Sequence, residues 1–399
     1  MYTVPTEVNR YQQRALIVGV VFAILLAVGI FLPPEMGGGV AQFFRSYLLA
    51  FVFWVGIATG CLAILMLQHL TGGAWGLVIR RVLEAGTRTL PLLIILFIPL
   101  VFGLSYIYEW VYPEHIAEHA AREVVEAKHG YLNVTFFLIR TAVYFAIWAV
   151  LTLLLNKWSD EQDRTASRRL LRNLQKLSGP GLVLYVLTVT FASIDWVMSL
   201  EPEWFSTIFG LIFVINWVLT AFSFVIAVMV LLAGRKPLSG VVLPRHFHDL
   251  GKLLLAFVMM WAYFNFSQYL LIWSANIPEE TKWYLHRTRG GWGYIAIAVV
   301  ILHFALPFLL LLSRDLKRNA RKLALLAIVV FVMRFVDLFW IITPTFRREH
   351  FGLSFMDIAA PLAMGGLWIA FFAWQLKKRP LLPVNDPYLE QALEQAHHH

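Results

Sequence analysis

The sequence predicts an all-α protein that crosses a membrane about ten times. Of its 399 residues, 59% are hydrophobic and only 14% are charged. A soluble domain has roughly 45–50% apolar and about 25% charged residues. The apolar residues also occur in long runs, and about 20 of them in an α-helix cross the ~30 Å of hydrocarbon in a bilayer. The whole chain, 1–399, is therefore expected to form one integral membrane domain in a lipid bilayer.

Ten apolar runs between charged or Pro/Gly-containing breaks predict the membrane spans. They are 15–33, 42–69, 77–107, 131–156, 179–200, 204–233, 249–275, 291–313, 321–343 and 355–376. Residues 1–14 precede this membrane region, 15–376 form it, and 377–399 form a tail. Within the tail, NDPYLEQALEQA (385–396) has helical character after an Asp-Pro start. We do not predict a metal site from the three histidines at 397–399.

The basic residues are distributed unevenly about the membrane. Of the 33 Lys and Arg, 21 lie in the two termini and in the loops on the same side with their flanks, and seven lie on the opposite side. The positive-inside rule therefore predicts that both termini are cytoplasmic. Because these charges occupy short loops, the net charge of +9 does not indicate a nucleic-acid partner.

The longest loop on the opposite side is YEWVYPEHIAEHAAREVVEAKHG, residues 108–130. Its helical spacing of Ala and Val predicts a surface helix. That helix could dock a partner or could be a solvated connector, and the sequence leaves both open.

Cysteine usage excludes several classes of site. The chain has a single cysteine, Cys61, inside an apolar run. It therefore has no disulfide framework, no paired-cysteine zinc site and no CxxCH motif for covalent haem attachment. We predict no metal site and no cofactor bound by this chain.

A first group of ionisable residues lies toward the predicted cytoplasmic side. A charge buried in hydrocarbon costs at least ~2.5–3.5 kcal/mol, so it needs a partner, a water-filled cavity or a function. On the third span, Glu84 and Arg88 are four residues apart and share one helix face. On the seventh, His248, Asp249 and Lys252 stand at the membrane entrance. Interfacial ion pairing is the alternative reading of this group.

A second group lies in the outer half of the membrane. Asp195 and Arg140 are about 9 and 15 Å below the outer surface by helix rise, too deep for casual solvation. The group continues on the seventh and ninth spans with Asn265, Gln268, Arg334 and Asp337. Such residues can be ion pairs that fix helix register, or groups that exchange protons near neutral pH. Their number favours two proton half-channels, with Asp195 partnered by Arg140 or Arg334.

Four segments resemble one family. They are FWVGIATGCLAILMLQHLTGGAWGLVIRRVLEAGTRTLPLL (53–93), DWVMSLEPEWFSTIFGL (195–211), HDLGKLLLAFVMMWAYFNFSQYLLIWSANIPEET (248–281) and RFVDLFWIITP (334–344). The chain resembles the NrfD-like (polysulfide-reductase-type) membrane subunits of bacterial alternative complex III, in particular the shorter of the two. The resemblance covers essentially all ten spans. It implies two four-helix bundles, spans 2–5 and 6–9, flanked by spans 1 and 10.

The resemblance also implies a respiratory role in the bacterial inner membrane. Such a complex oxidises menaquinol or ubiquinol and passes electrons through periplasmic iron-sulfur and haem c subunits to cytochrome c or a terminal oxidase. The expected partners are therefore the larger NrfD-like subunit, the iron-sulfur subunit and the haem c subunits. The resemblance places no redox centre in this chain.

One departure from the family pattern bears on function. The longer sister subunit carries a histidine near the position of Thr59 or Gly60, and this chain has none there. Asp195 does match an acidic position of the sister's quinol site. Of the acid and the histidine that handle quinol in the sister subunit, only the acid is thus present. This favours proton conduction or a structural role over quinol oxidation, and a vestigial quinone pocket stays an alternative.

Three other functions compete with this interpretation. An independent secondary transporter often has broken helices, and Pro91, Pro99 and Pro307 fall within predicted spans. A di-haem b anchor needs paired histidines at matched depth, and His303 has no obvious deep partner. A purely structural anchor of the complex is the third.

Overall fold

The structure is a computed structural model that describes residues 3–116, 119–239, 241–386 and Leu389. Ten helices in these residues are long and apolar enough to cross a membrane, and no strand occurs among them. This confirms the predicted all-α membrane fold. Spans 1 to 10 are Glu7–Gly29, Val40–Thr71, Ala74–Thr87 with Leu90–Phe102, Val134–Thr165, Arg168–Trp196, Phe209–Ala233, Pro244–Ala275, Trp292–Leu312, Ala320–Ile342 and Phe355–Leu376.

The start of span 1 and the end of span 10 lie on one side of the membrane region, because ten helices cross it. Lys377 at the end of span 10 accordingly donates a 2.7 Å hydrogen bond to Asn9 at the start of span 1. We name this side the terminal face. The opposite side, the distal face, is formed by the segments at 30–39, 103–116, 119–133, 197–208, 276–291 and 343–354.

Spans 2 and 6 form the centre of the molecule. The apolar window of span 2 is wholly buried, and span 2 packs against spans 3, 5, 6 and 10. Span 6 packs against spans 2, 5, 7 and 9, while span 4 lies on span 5 and span 8 lies on spans 7 and 9. Spans 1 and 10 pair along their length, with Gly19 against Gly366. These contacts agree with two groups of four helices, 2–5 and 6–9, flanked by spans 1 and 10.

Several helices extend beyond their predicted ends on the terminal side. Span 1 begins at Glu7 rather than at 15, span 4 ends at Thr165 rather than at 156, and span 5 begins at Arg168 rather than at 179. Hydropathy marks the thickness of the hydrocarbon, whereas the backbone hydrogen bonds of a helix continue into water. The helices are therefore longer than the predicted membrane spans.

Spans 3 and 8 are irregular. The predicted continuous run 77–107 is broken after Thr87, and the helix resumes at Leu90. Pro91 has no N–H to donate to the Thr87 carbonyl, which explains the break. Span 8 contains a π-helical stretch, Val299–Ala305, just before Pro307.

The segments outside the spans are partly as predicted. The distal loop forms a helix, His119–Ala127, which confirms the predicted surface helix, and Val125 is its buried residue. The predicted helix at 385–396 lies almost entirely outside the described residues.

Candidate functional site: a polar stripe through spans 3, 4 and 5

Asp195 lies in the last turn of span 5 and is fully buried. Arg140 of span 4 holds both of its carboxylate oxygens, with Nε 2.9 Å from Oδ2 and Nη2 2.9 Å from Oδ1. The Tyr144 hydroxyl donates a third hydrogen bond to Oδ2 at 2.6 Å. This is the bidentate geometry of a strong arginine–carboxylate pair. Of the two arginines predicted as partners, the structure selects Arg140, and we name Arg140, Tyr144 and Asp195 the distal cluster.

The chain around Arg140 holds its guanidinium in place. The Arg140 guanidinium carbon lies 3.8 Å from the centre of the Tyr131 ring and 4.3 Å from that of Phe136. Its Nη1 donates to the Tyr131 carbonyl at 2.9 Å. Cation–π contact and hydrogen bonding thus compensate this charge from several sides, so the pair is preorganised within the membrane region.

Glu84 forms the centre of a second buried group near the terminal face. Three cations surround its fully buried carboxylate: Arg81 at 2.6 Å, Arg80 at 3.2 Å and Arg379 at 3.3 Å. The Ser159 hydroxyl of span 4 donates to Glu84 Oε1 at 2.5 Å. We name Arg80, Arg81, Glu84, Ser159 and Arg379 the terminal cluster.

Arg88 lies beside this cluster without pairing with Glu84. The first helix of span 3 ends at Thr87, and Arg88 is its C-terminal cap. Its Nη2 donates instead to the Gln375 carbonyl of span 10 at 3.1 Å. The break before Pro91 thus directs Arg88 toward span 10 and leaves Glu84 to the arginines one turn before it.

The first residues of the C-terminal tail cover the terminal cluster. Arg379 binds Glu84 and also donates to the Asn156 carbonyl at 2.9 Å. Asp386 pairs with Arg80 at 2.6 Å, and Leu382 is fully buried. Sequence analysis treated this segment as a plain tail. The pair of leucines at 381 and 382 after three basic residues was the available signal.

A polar stripe on span 4 runs from one cluster toward the other, and sequence analysis missed it. Every fourth residue of RTAVYFAIWAVLTLLLN carries a hydrogen-bonding side chain on one buried helix face. These residues are Arg140, Tyr144, Trp148, Thr152 and Asn156. Asn156 Nδ2 donates to the Thr87 hydroxyl at 2.9 Å, which brings the stripe to span 3. From Arg140 to Asn156 the helix rises ~24 Å.

One aromatic layer interrupts this stripe. Trp148 donates to the Thr188 hydroxyl at 2.8 Å, and no hydrogen bond among the described residues joins Tyr144 to Thr152. The Trp196 ring contacts five buried rings, including that of Trp148, with centroid distances of 5.6–6.3 Å. Those rings belong to Phe51, Phe97, Phe145, Trp148 and Trp217. The two clusters are therefore separated by a closely packed apolar layer.

The predicted members on span 7 stand apart from the terminal cluster. Lys252 Nζ lies 3.2 Å from Asp249 Oδ1, and the two side chains are 57% and 45% exposed. His248 Nδ1 lies 3.8 Å from the same oxygen. Within the described part of the chain, no hydrogen bond or ion pair links these three residues to Glu84. Their geometry is that of an interfacial ion pair.

The remaining predicted outer residues divide between two places in the second bundle. Arg334 and Asp337 form a buried ion pair on span 9, to which Trp261 Nε1 adds a 3.4 Å hydrogen bond. Gln268 accepts from Ser206 at 2.7 Å near the distal end of span 7. Asn265 donates to the Trp261 carbonyl at 2.9 Å. The predicted outer cluster is therefore not continuous, because these spans belong to a different bundle from Asp195.

Glu201 forms a junction on the distal face that was not predicted from the sequence. Arg287 lies 2.8 Å from Glu201 Oε1, and the Thr345 hydroxyl donates to the same oxygen at 2.9 Å. Burial alone would raise the pKa of Glu201, but the positive charge of Arg287, with His286 nearby and the hydrogen bond from Thr345, outweighs burial and lowers that pKa to about 2. Because Glu201 follows span 5 and Thr345 follows span 9, this junction ties the two bundles together.

The region of Thr59 and Gly60 does not fit a quinone-binding histidine. A Cβ atom on Gly60 would lie 2.2 Å from the Trp217 carbonyl oxygen, and one on Gly56 would lie 2.3 Å from the Trp217 ring. Thr59 is buried and donates to the Val55 carbonyl at 2.8 Å. Spans 2 and 6 approach too closely here for a larger side chain or a quinone ring.

A search with the whole sequence finds no matching family model and no similar curated protein.

Proposed function

We propose that this chain is a membrane subunit of a quinol-oxidising respiratory oxidoreductase and that its first bundle forms two proton half-channels. Glu84 and the terminal cluster form one half, and Asp195 and the distal cluster form the other. One observation carries the proposal: two buried acids, each held by arginine and a hydroxyl, lie along one polar stripe that a single aromatic layer interrupts. Buried charges in a membrane bundle are typical of proton and ion pathways.

The interruption is what such a device requires. A continuous chain of hydrogen bonds would let protons leak between the faces, whereas two half-channels exchange protons only when their connection changes. On the distal side of the layer lies the Tyr144 hydroxyl, and on the other side lies Thr152, followed one turn later by Asn156 with Thr87. Three hydrogen bonds occupy three of the roughly four lone-pair positions of the Asp195 carboxylate, and a proton added to it neutralises the charge that holds Arg140, which couples protonation to the position of Arg140.

In this proposal other subunits supply the redox chemistry. The larger NrfD-like subunit handles menaquinol or ubiquinol, and the iron-sulfur and haem c subunits carry electrons to cytochrome c or a terminal oxidase. The sequence resemblance supports these partners, and the excess of Lys and Arg on the terminal face supports a bacterial inner membrane with both termini in the cytoplasm. Large apolar side chains exposed on spans 7 and 8, including Phe266, Leu271 and Leu309, suit lipid or the larger subunit.

The direct test of proton conduction is Asp195→Asn in the intact complex. We expect a lower ratio of protons translocated to electrons transferred, because the variant cannot accept a proton at this position. Asp249→Asn is the matched control, since it makes the same change at an exposed acid of span 7. An unchanged ratio at unchanged turnover in Asp195→Asn would leave only a structural role for this acid.

The respiratory setting is tested separately by mild-detergent isolation of the chain from native membranes. Recovery of a larger NrfD-like subunit with haem c and iron-sulfur proteins supports the proposal. Complex assembly that depends on this chain, with a proton ratio insensitive to every stripe variant, would indicate a purely structural anchor.

An independent secondary transporter is the second candidate. The break in span 3 lies directly beside the terminal cluster, and irregular backbone at a binding site is typical of such proteins. Solute uptake by the purified chain alone in liposomes would favour this candidate. An absorption spectrum of the purified chain tests the di-haem b anchor, which requires a haem b signal.

A further inference from the structure

His303 lies in the π-helical stretch Val299–Ala305 of span 8. Pro307 explains this local geometry, because it has no N–H to donate to the His303 carbonyl four residues earlier. In this stretch each backbone hydrogen bond therefore spans one residue more than in an α-helix, and the histidine lies within it. Single π turns inside α-helices occur frequently at functional sites.

The histidine is fully buried between spans 7, 8 and 9. Its ring meets the Trp261 ring edge-on, with centroids 4.4 Å apart. Across span 9, Arg334 pairs with Asp337, and Trp261 Nε1 donates to the same carboxylate. Neither ring nitrogen of His303 has a hydrogen-bond partner within the described part of the chain, and Arg334 Nε has none there either.

Such an arrangement is unfavourable as a dry packing element. A neutral imidazole always presents one donor and one acceptor, and burying them unpaired costs ~1–3 kcal/mol for each group. A phenylalanine of similar shape would avoid that cost. Three unpaired polar atoms around one ion pair offer the two to four partners that a buried water molecule needs.

We propose that His303, Arg334 and Asp337 form a second buried site, which holds water and at which His303 accepts a proton. A proton relayed through that water adds to a ring nitrogen lone pair and gives an imidazolium, and the Asp337 carboxylate offsets one of the two positive charges, Arg334 and the imidazolium, that are then present. The charged groups facing the ring are Arg334 and Asp337 of span 9. On span 7 the closest charge along the helix is Lys252, ~13 Å before Trp261 by helix rise.

This site has no contact with the stripe on span 4. The proposal that His303 is hydrated therefore does not depend on the function proposed for the first bundle. Only its use in proton transfer rests on the function proposed above.

The test is magic-angle-spinning NMR of the full chain, labelled with ¹⁵N-histidine, in lipid bilayers with magnetisation transferred from water. We expect a ring-nitrogen signal that grows from water and is lost in His303→Gln. His303→Phe provides the same assignment should the glutamine variant fail to fold. In Arg334→Leu/Asp337→Leu, which retains the ring, the transfer should slow. A His303 signal that receives no magnetisation from water would overturn the site.

The proton role is then tested in the complex. A lower proton-to-electron ratio in His303→Gln supports it, and an unchanged ratio with a water-contacting ring overturns the role while the hydrated site remains. If Asp195→Asn leaves the ratio unchanged, the function proposed for the first bundle fails, yet the NMR result is unaffected. The two failures are therefore distinguishable.

Discussion

Removing either partner of the Arg140–Asp195 pair should be strongly destabilising, because the other charge is then left buried and unpaired. The two Arg140 hydrogen bonds to Asp195, both 2.9 Å long, are charge-assisted, and bonds to charged groups contribute ~1.5–3 kcal/mol each. Their sum agrees with the ~3–5 kcal/mol lost when one partner of a buried pair is removed. We therefore expect Arg140→Gln and Asp195→Asn each to lower the free energy of unfolding by that amount. Tyr144→Phe, which removes one hydrogen bond, should cost ~1.5–3 kcal/mol.

A double variant separates the electrostatic attraction between Arg140 and Asp195 from the packing of their side chains. Arg140→Gln/Asp195→Asn leaves no unpaired charge, so its cost should fall short of the summed single costs by ~3 kcal/mol. The assay is reversible unfolding of the purified chain in mixed detergent micelles, followed by circular dichroism. Costs that add to within ~0.5 kcal/mol would show that the two residues do not interact. The bidentate contact between Arg140 and Asp195 would then make no contribution to stability.

Three further predictions concern other parts of the molecule. Since the pKa of folded Glu201 is about 2, below the unfolded value of 4.5, its stabilisation is complete above pH 4.5 and is lost as the pH falls toward 2. The stabilisation by Glu201 amounts to at most ~3 kcal/mol, because burial of Arg287 offsets part of it. The variant Glu201→Gln should therefore show a weaker fall in the free energy of unfolding as the pH is lowered below 4.5. Removing the tail contact with Arg379→Ala should speed thiol labelling of Ser159→Cys in a Cys61→Ser background, and an unchanged rate would show that the tail is not a cover. Gly60→Ala should destabilise the chain by ~1–3 kcal/mol or more, because its methyl group meets backbone, and Gly234→Ala, with open space around it, is the control.

The fold was largely predictable because hydrophobicity reports membrane crossing directly. All ten spans appear where apolar runs exceed the thickness of the hydrocarbon. The helix ends were less predictable, since nothing in the hydropathy of residues 157–165 distinguishes a polar helix from a loop. The break in span 3 could have been derived from Pro91, whose missing N–H affects Thr87.

The site was only partly predictable because depth along a helix does not reveal its neighbours. Asp195 and Arg140 were both assigned to the outer half of the membrane, and they do pair. Asp337 was assigned to the same outer half, yet it lies in the other bundle. The arginines around Glu84 come from one turn earlier and from the tail, 295 residues away, which no local pattern encodes. The span 4 stripe, by contrast, was readable from its four-residue spacing.

The packing between spans 2 and 6 explains why a histidine does not fit at Gly60. In this chain the space between spans 2 and 5 is occupied by Trp196 and Trp217, whose ring centroids are 6.3 Å apart. The Trp217 backbone lies against Gly60, so a histidine placed there must displace the main chain of span 6 and not merely a side chain. Asp195 keeps its arginine within this filled space. Gly60→His alone is therefore expected to disrupt the packing of spans 2 and 6 rather than to create a quinone pocket.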